Sequence, residues 1–400
     1  MAFAEVKEAG KKSVTVRITG NVDAGNARQV TEELNAIIAE YPGLALELDF
    51  GEVERISSAG LRALLICEGE ARKRCGARVT IFDVNPTVMN VLEETGMTRI
   101  FTVFEKMREY SVEGFEPLGR GANGVVYRID DENLIKVFEK SAPLETIQKE
   151  RELARQALIC GIPTAISYNV AHVDGCFGIA FEMLDAQPLS TVLKSMPDQY
   201  DQYVEKYISL LKKIHQTKGD QSVFGSIKDF YFEAIDECKS YYSDVEIGLL
   251  RDLVDSVPDT DMLIHGDYHP NNIMVQDDEL ILIDMGSMSC GHPVFEFLAT
   301  AATQVNLVKL NPAYAEMHTN MPVELITRTW RRLIDGYFSD YDDEKKARIE
   351  EQICLFSKLK VALCPYFGRG VSQEILNASI EDARQNLLPK IRELIGAVDW

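Results

Sequence analysis

Apolar and polar positions follow different rhythms in different parts of this 400-residue chain. Near the start, Ser13-Val-Thr-Val-Arg-Ile-Thr-Gly alternates with the period of a half-buried strand, and Leu44-Ala-Leu-Glu-Leu-Asp-Phe and Arg78-Val-Thr-Ile-Phe read as two more. Residues 26–40 and 59–74 carry apolar side chains at helical spacing. Pro86 stands where a third helix would begin, a place where its missing N–H costs nothing. Strands alternating with helices predict a small α/β domain over residues 1–105. A polar segment, residues 105–114, follows and is too short to act as a long flexible tether. From residue 112 the chain reads as short strands and one amphipathic helix, roughly residues 144–158. Beyond residue 188 helical periods dominate, at residues 192–214, 230–256 and 342–363. This is the pattern of a second, α+β domain over residues 112–400, with a strand-rich part at 112–184 and a helical part at 185–400.

Chemistry concentrates in one stretch of that helical part. His265-Gly-Asp-Tyr-His-Pro-Asn-Asn-Ile-Met-Val is followed by Ile281-Leu-Ile-Asp-Met-Gly. Apolar residues on either side predict short buried strands holding a polar loop in place. Phosphoryl transfer needs a carboxylate to orient the attacking hydroxyl and hard oxygen ligands for magnesium on the triphosphate. Asp267, Asn272 and Asp284 supply that set. The competing reading, a solvated turn and a strand end, must treat the long spacing as coincidence.

Upstream, Leu118-Gly-Arg-Gly-Ala-Asn-Gly-Val-Val-Tyr places Gly119, Gly121 and Gly124 where backbone amides could approach phosphate oxygens. Twelve residues beyond Gly124, Lys136 lies in an apolar strand, where a charge needs an anionic partner. ATP phosphate and a helix carboxylate are the natural partners. Glu150 is the first candidate and Glu152 the second, because helix phase cannot be fixed from sequence.

Together these residues resemble the aminoglycoside phosphotransferase and choline kinase branch of the protein-kinase-like fold, over residues 112–400. The resemblance implies a bilobal domain using ATP and Mg2+, with Asp267 as catalytic base, Asn272 and Asp284 as metal ligands and Lys136 on the phosphates. It also implies that His265 braces the loop and that Phe181-Glu-Met-Leu, with Glu182 and Leu184, forms the hinge against adenine. Gly266 precedes Asp267 where protein kinases carry Arg, which argues against control by activation-loop phosphorylation. Gly291-His-Pro-Val-Phe-Glu departs from the branch's usual G-D-P continuation, so no role carries over to His292 or Glu296.

In the first domain, Leu48-Asp-Phe-Gly-Glu-Val-Glu-Arg-Ile-Ser-Ser-Ala-Gly-Leu and Gly20-Asn-Val-Asp-Ala-Gly-Asn-Ala resemble the STAS domain of bacterial anti-anti-sigma factors. That family is phosphorylated on a serine opening the helix after its third strand, a position Ser58 matches best and Ser57 next. Phosphate there would meet unpaired amides and the positive end of the helix dipole. The plainer reading is that one of the two serines caps the helix.

Charge and cysteine content narrow the partners. Residues 1–105 hold 12 Lys and Arg against 16 Asp and Glu, so −17 of the −21 net charge lies in the rest of the chain. Such acidity argues against nucleic acid or an anionic membrane surface, and it is compatible with a cationic acceptor, for which Glu296 and Asp335 are candidates. The eight cysteines show no zinc spacing and read as reduced thiols. With no signal peptide and no bilayer-length apolar run, the expected location is the cytoplasm. His269 reads as a loop brace, and His172, His215, His292 and His318 as structural or surface residues. The expectation is an ATP- and magnesium-dependent transfer to a hydroxyl of a small molecule, regulated or localised by the STAS part, which would also contact a partner protein. One alternative is a protein kinase acting on Ser58 of its own or a partner STAS domain. Another is an inactive nucleotide-binding scaffold.

Overall fold

The computed structural model describes residues 2–76, 78–121, 124–367 and 372–400. The chain divides into two compact units, Met1–Arg151 with Ser167–Met183, and Glu152–Ile166 with Leu184–Trp400.

The first unit opens with a five-stranded sheet, β1 (Ala4–Ala9), β2 (Ser13–Ile18), β3 (Ala45–Asp49), β4 (Thr80–Val84) and β5 (Thr102–Glu105), arranged in chain order. Strands β2 to β5 run parallel, and β1 is antiparallel to β2. Helices α1 (Ala27–Glu40), α2 (Ser58–Cys75) and α3 (Pro86–Glu94) cover one face, where Val16, Leu46, Leu48 and Ile81 join Leu34, Leu64 and Val88 in one apolar core. Pro86 does open α3, with Asn85 as its cap. Because strand side chains alternate, Glu47 and Asp49 of β3 turn to the opposite face. Both are nonetheless buried.

What buries that face is a second sheet. It contains β6 (Arg108–Tyr110), β7 (Pro117–Gly121), β8 (Gly124–Arg128), β9 (Asn133–Phe138), β10 (Ser167–Val173) and β11 (Cys176–Glu182), in the order β6-β10-β11-β9-β8-β7. The polar segment read as a boundary already holds β6, which pairs with β10 after only Lys106 and Met107 separate it from β5. Neither connecting residue is loose: Lys106 N donates to Val84 O at 2.9 Å, and Met107 N to Asp83 Oδ1 at 3.0 Å. Helix α4 (Leu144–Ile159) lies between β9 and β10 in the chain.

Apart from Glu152–Ile166, the second unit follows β11. It contains β12 (Gln187–Pro188), α5 (Leu189–Ser195), α6 (Tyr200–Gln216), α7 (Gln221–Phe224), α8 (Ile227–Glu237) and α9 (Asp244–Asp255). Then come β13 (Leu263–Ile264), β14 (Ile273–Gln276), β15 (Glu279–Leu282), β16 (Ser289–Cys290) and α10 (Val294–Ala301), with further helices to the C-terminus. The helical stretches expected at residues 192–214, 230–256 and 342–363 are each broken in two. Pro197 opens a short turn before α6, Ser243 and Glu246 form a capping box that restarts the chain as α9, and Ser357 separates helices Asp343–Phe356 and Lys358–Ala362. Among the described residues no helix is long and apolar enough to cross a membrane.

Candidate active site

In the second unit, β13, β14 and β15 frame the polar loop. β14 and β15 form an antiparallel hairpin, and β13 pairs with β16. Asn272 closes the turn into β14, and its amide nitrogen donates at 3.1 Å to both the carbonyl and the carboxylate Oδ2 of Asp267. That orientation leaves the Asn272 side-chain carbonyl as a hard oxygen donor. Asp284 follows β15 with φ +60°, a left-handed conformation uncommon outside glycine that turns the chain sharply at this point. Ile283 N donates to Asn272 O at 3.0 Å, which ties the strand bearing Asp284 to the turn bearing Asn272.

The loop is supported from below. His265 is fully buried; its Nδ1 accepts from Asp267 N at 3.3 Å and its Nε2 lies 3.2 Å from Ile283 O. Glu296 of α10, expected as a candidate for binding a substrate amine, has a different place. It is fully buried, and its carboxylate accepts from the backbone N–H groups of His265 at 2.5 Å, Gly266 at 3.0 Å and Tyr268 at 3.3 Å. Burial opposes its ionisation, yet His215 together with His265 and the Gly266 amide holds the carboxyl below its usual range. The sequence signal was available: a charge inside Val294-Phe-Glu-Phe-Leu needs a strong partner. Asp335, the other candidate, is exposed.

Around Asp267 itself, His269 Nε2 lies 3.6 Å from Oδ2, and the His318 ring stands 5.5 Å from that of His269. His318, expected as structural or surface-lying, is exposed and stands beside the loop. Burial raises the Asp267 carboxyl, but His269, Lys360 and His265 outweigh it and hold the group well below the usual range. His292 is pushed down to about 4 by burial.

The first unit holds the other residues. Gly119 and Gly121 lie on β7, and Gly124 opens β8. A Cβ on Gly124 would sit 2.2 Å from Val137 O, so only glycine lets β8 approach β9 here. Lys136 Nζ meets Glu150 Oε1 at 2.7 Å, with both side chains nearly buried. Of the two carboxylates the sequence leaves open, Glu150 is thus the one that reaches Lys136, while Glu152 engages Arg155. Glu182 ends β11, and the chain passes from one unit to the other between Met183 and Leu184. On the first sheet, Ser57 caps α2 by accepting from Ala59 N and Gly60 N, and Ser58 occupies the exposed first helical position.

The chain thus joins a small α/β domain to a larger α+β part. Residues 114–332 match the Phosphotransferase enzyme family, and the chain belongs to it. Residues 6–105 match the family described as Mlab, STAS domain. That region is 33% identical over 99 residues to the putative anti-sigma factor antagonist BtrV of Bordetella bronchiseptica, covering 25% of this chain and 83% of that protein. The solved aminoglycoside phosphotransferase APH(2'')-Ib in its ADP-bound form shares 16% identity, with TM-score 0.48 over 75% of this chain and 98% of that one. A choline/ethanolamine kinase family protein from Mesorhizobium loti shares 14% identity, with TM-score 0.44 over 71% and 92% of the two chains. An anti-sigma factor antagonist from Mycobacterium paratuberculosis shares 22% identity, with TM-score 0.23 over 25% and 83%. The protein is a member of the Phosphotransferase enzyme family that carries a STAS domain.

Proposed function

We propose that the chain transfers the γ-phosphate of ATP to a hydroxyl of a small molecule. The observation that carries this reading is the hydrogen-bonded Asp267–Asn272 pair, tied through Ile283 to Asp284. In this reading Asp267, its carboxyl held below the usual range, orients the acceptor hydroxyl and receives its proton. Asn272 and His269 engage Oδ2, which leaves Oδ1 for the acceptor. Lys136, aligned by Glu150, holds phosphate oxygens beneath the backbone of the Gly119, Gly121 and Gly124 segment, and the Glu182 to Leu184 hinge faces adenine.

The donor set fits magnesium: one amide carbonyl turned away from Asp267 and one carboxylate, both hard oxygens, with no sulfur or imidazole required. When bound by Asn272 and Asp284, the ion would neutralise charge on the transferring phosphoryl group. Glu296 and His265 keep the loop rigid, so that the reacting groups need no rearrangement. The test is ADP release from Mg-ATP by wild type and Asp267→Ala, with a panel of hydroxyl-bearing amines and neutral alcohols as acceptors. A loss of roughly 10²-fold or more is expected, the scale of a positioned acid-base group. Equal rates would remove Asp267 from the chemistry. A narrower form, modification of an aminoglycoside, predicts raised resistance when the protein is expressed in a sensitive host.

A second reading is favoured by the exposure of Ser58 beside a capping Ser57. Here the phosphate acceptor is Ser58 of the same or another STAS domain, where tethering raises effective concentration. Peptide mass spectrometry after incubation with Mg-ATP decides it: an unmodified peptide spanning residues 56–61 excludes self-modification.

A further inference from the structure

The face of the STAS sheet left open by its own helices is not a solvent face. Phe82 of β4 packs edge-on against Phe177 of β11, with ring centroids 5.7 Å apart, and lies 6.0 Å from the ring of His172. Phe82 belongs to an apolar cluster with the connecting residue Met107, with Phe138, Val170 and Ile179 of the second sheet and with Leu144 and Ile147 of α4. Asp83 meets His172 Nε2 at 2.6 Å, and Lys140 meets Glu8 at 3.2 Å. Within this contact a polar side chain reaches the helix itself. Glu47 of β3, 5% exposed, accepts at Oε1 from Leu144 N, the first amide of α4, at 3.4 Å. Its other oxygen accepts from Thr15 Oγ1 at 2.9 Å.

A helix N-terminus leaves its first amides without intrahelical partners and carries partial positive charge, so a fixed carboxylate there stabilises both the helix and its placement. Glu150 lies six residues along the same helix, about 9 Å by helical rise, and its carboxylate holds Lys136 at 2.7 Å. We infer that Glu47 is a positioning residue for the phosphotransferase site: the STAS sheet caps and seats α4, and through it aligns Glu150 with Lys136. This rests on the phosphotransferase reading for its effect on turnover, but not for its effect on the helix. The STAS domain thereby acts on the kinase part in cis, through a face that its own three helices do not cover.

The experiment compares full-length wild type, Glu47→Leu, which removes the acceptor, and Glu47→Gln, which keeps an oxygen for Leu144 N. Thr15→Val is the milder companion, since it releases the hold on the Glu47 carboxylate without touching α4. Two readouts are taken, the KM and kcat for Mg-ATP and amide hydrogen exchange of residues 144–151. Glu47→Leu is expected to raise KM for Mg-ATP up to roughly tenfold, the scale of a lost helix cap. Exchange in residues 144–151 is expected to quicken, and α2 and β2 to stay protected. Thr15→Val should move the same way by less, and Glu47→Gln should return to wild-type values. Unchanged exchange in both Glu47→Leu and Thr15→Val would overturn the proposal, as would an equal loss of protection throughout the STAS sheet. If wild type turns over no ATP, the phosphotransferase reading falls, and exchange alone still decides the role of Glu47.

Discussion

Asn272 donates through one amide nitrogen to both the main-chain carbonyl and the carboxylate of Asp267, at 3.1 Å each. A single side chain therefore sets the loop geometry and presents an oxygen on its other side. Asn272→Ala should lower Mg-ATP turnover by roughly 10–100-fold, the scale seen when groups orienting a metal site are lost. It should also raise the magnesium concentration needed for half-maximal rate. A turnover defect with an unchanged magnesium requirement would restrict Asn272 to holding Asp267.

The Lys136–Glu150 pair has side-chain exposures of 13% and 9%, so removing one member breaks an ion pair largely withdrawn from water. Lys136→Met is expected to destabilise the fold by about 3–5 kcal/mol in urea unfolding. Lys136→Met combined with Glu150→Leu should recover much of that loss without restoring activity. Equal stabilities of the single and double variants would show that the pair is not energetically coupled.

Glu296 accepts from three backbone amides beneath the loop. Glu296→Leu orphans them, each worth about 1–3 kcal/mol when buried without a partner. Unfolding should move to lower denaturant by several kcal/mol, with turnover falling because Asp267 is no longer fixed. A stable, inactive Glu296→Leu would instead point to a role in the reaction itself.

Ser57 and Ser58 can be separated by stability alone. Ser57→Ala removes the cap of α2 and should cost about 1 kcal/mol. Ser58→Ala should stay within about 0.5 kcal/mol of wild type, as surface changes do. The reverse order would mean that the capping role had passed to Ser58.

Asp83 carries a pH dependence. Burial opposes its charge, but the hydrogen bond and charge of His172, the Met107 amide and the Lys7 charge outweigh that and leave the carboxyl below its usual value. A depressed folded-state value contributes stability above the unfolded pKa of about 3.9, lost as pH falls through the folded value. Asp83→Asn should therefore be less stable than wild type at pH 7, by roughly 2 kcal/mol for a charge-assisted bond. The gap should narrow as the pH is taken down through 4 to 3. A gap of constant size across that range would assign the loss to packing.

The loop bearing Asp267, Asn272 and Asp284 was legible in the sequence because its geometry is local: two short apolar runs and a turn place all three within twenty residues. Lys136 was legible as a charge in an apolar strand, but its partner was not, since α4 could present either Glu150 or Glu152 until its phase was fixed by packing. Strands β1 and β5 escaped notice because each offers too few apolar positions to show a period. The helix breaks at Pro197, Ser243 and Ser357 were hidden by apolar spacing that continues across them. Glu47 and Asp49 misled most directly. Their alternation with Leu46 and Leu48 promises a face turned to water, whereas Glu47 meets the start of α4 and Asp49 is covered by Lys7 and Arg17. Alternation reports which side chains share a face and is silent about what that face meets.

The two-residue link of Lys106 and Met107 has a practical consequence. A kinase fragment beginning near residue 112 would lack β6, leave an edge of the second sheet unpaired and bare Phe138, Ile147, Val170 and Phe177 where Phe82 had packed. Open strand edges beside a new apolar patch invite self-association. The catalytic part should therefore express as aggregate when cut at its family boundary and as soluble protein only when the STAS domain travels with it.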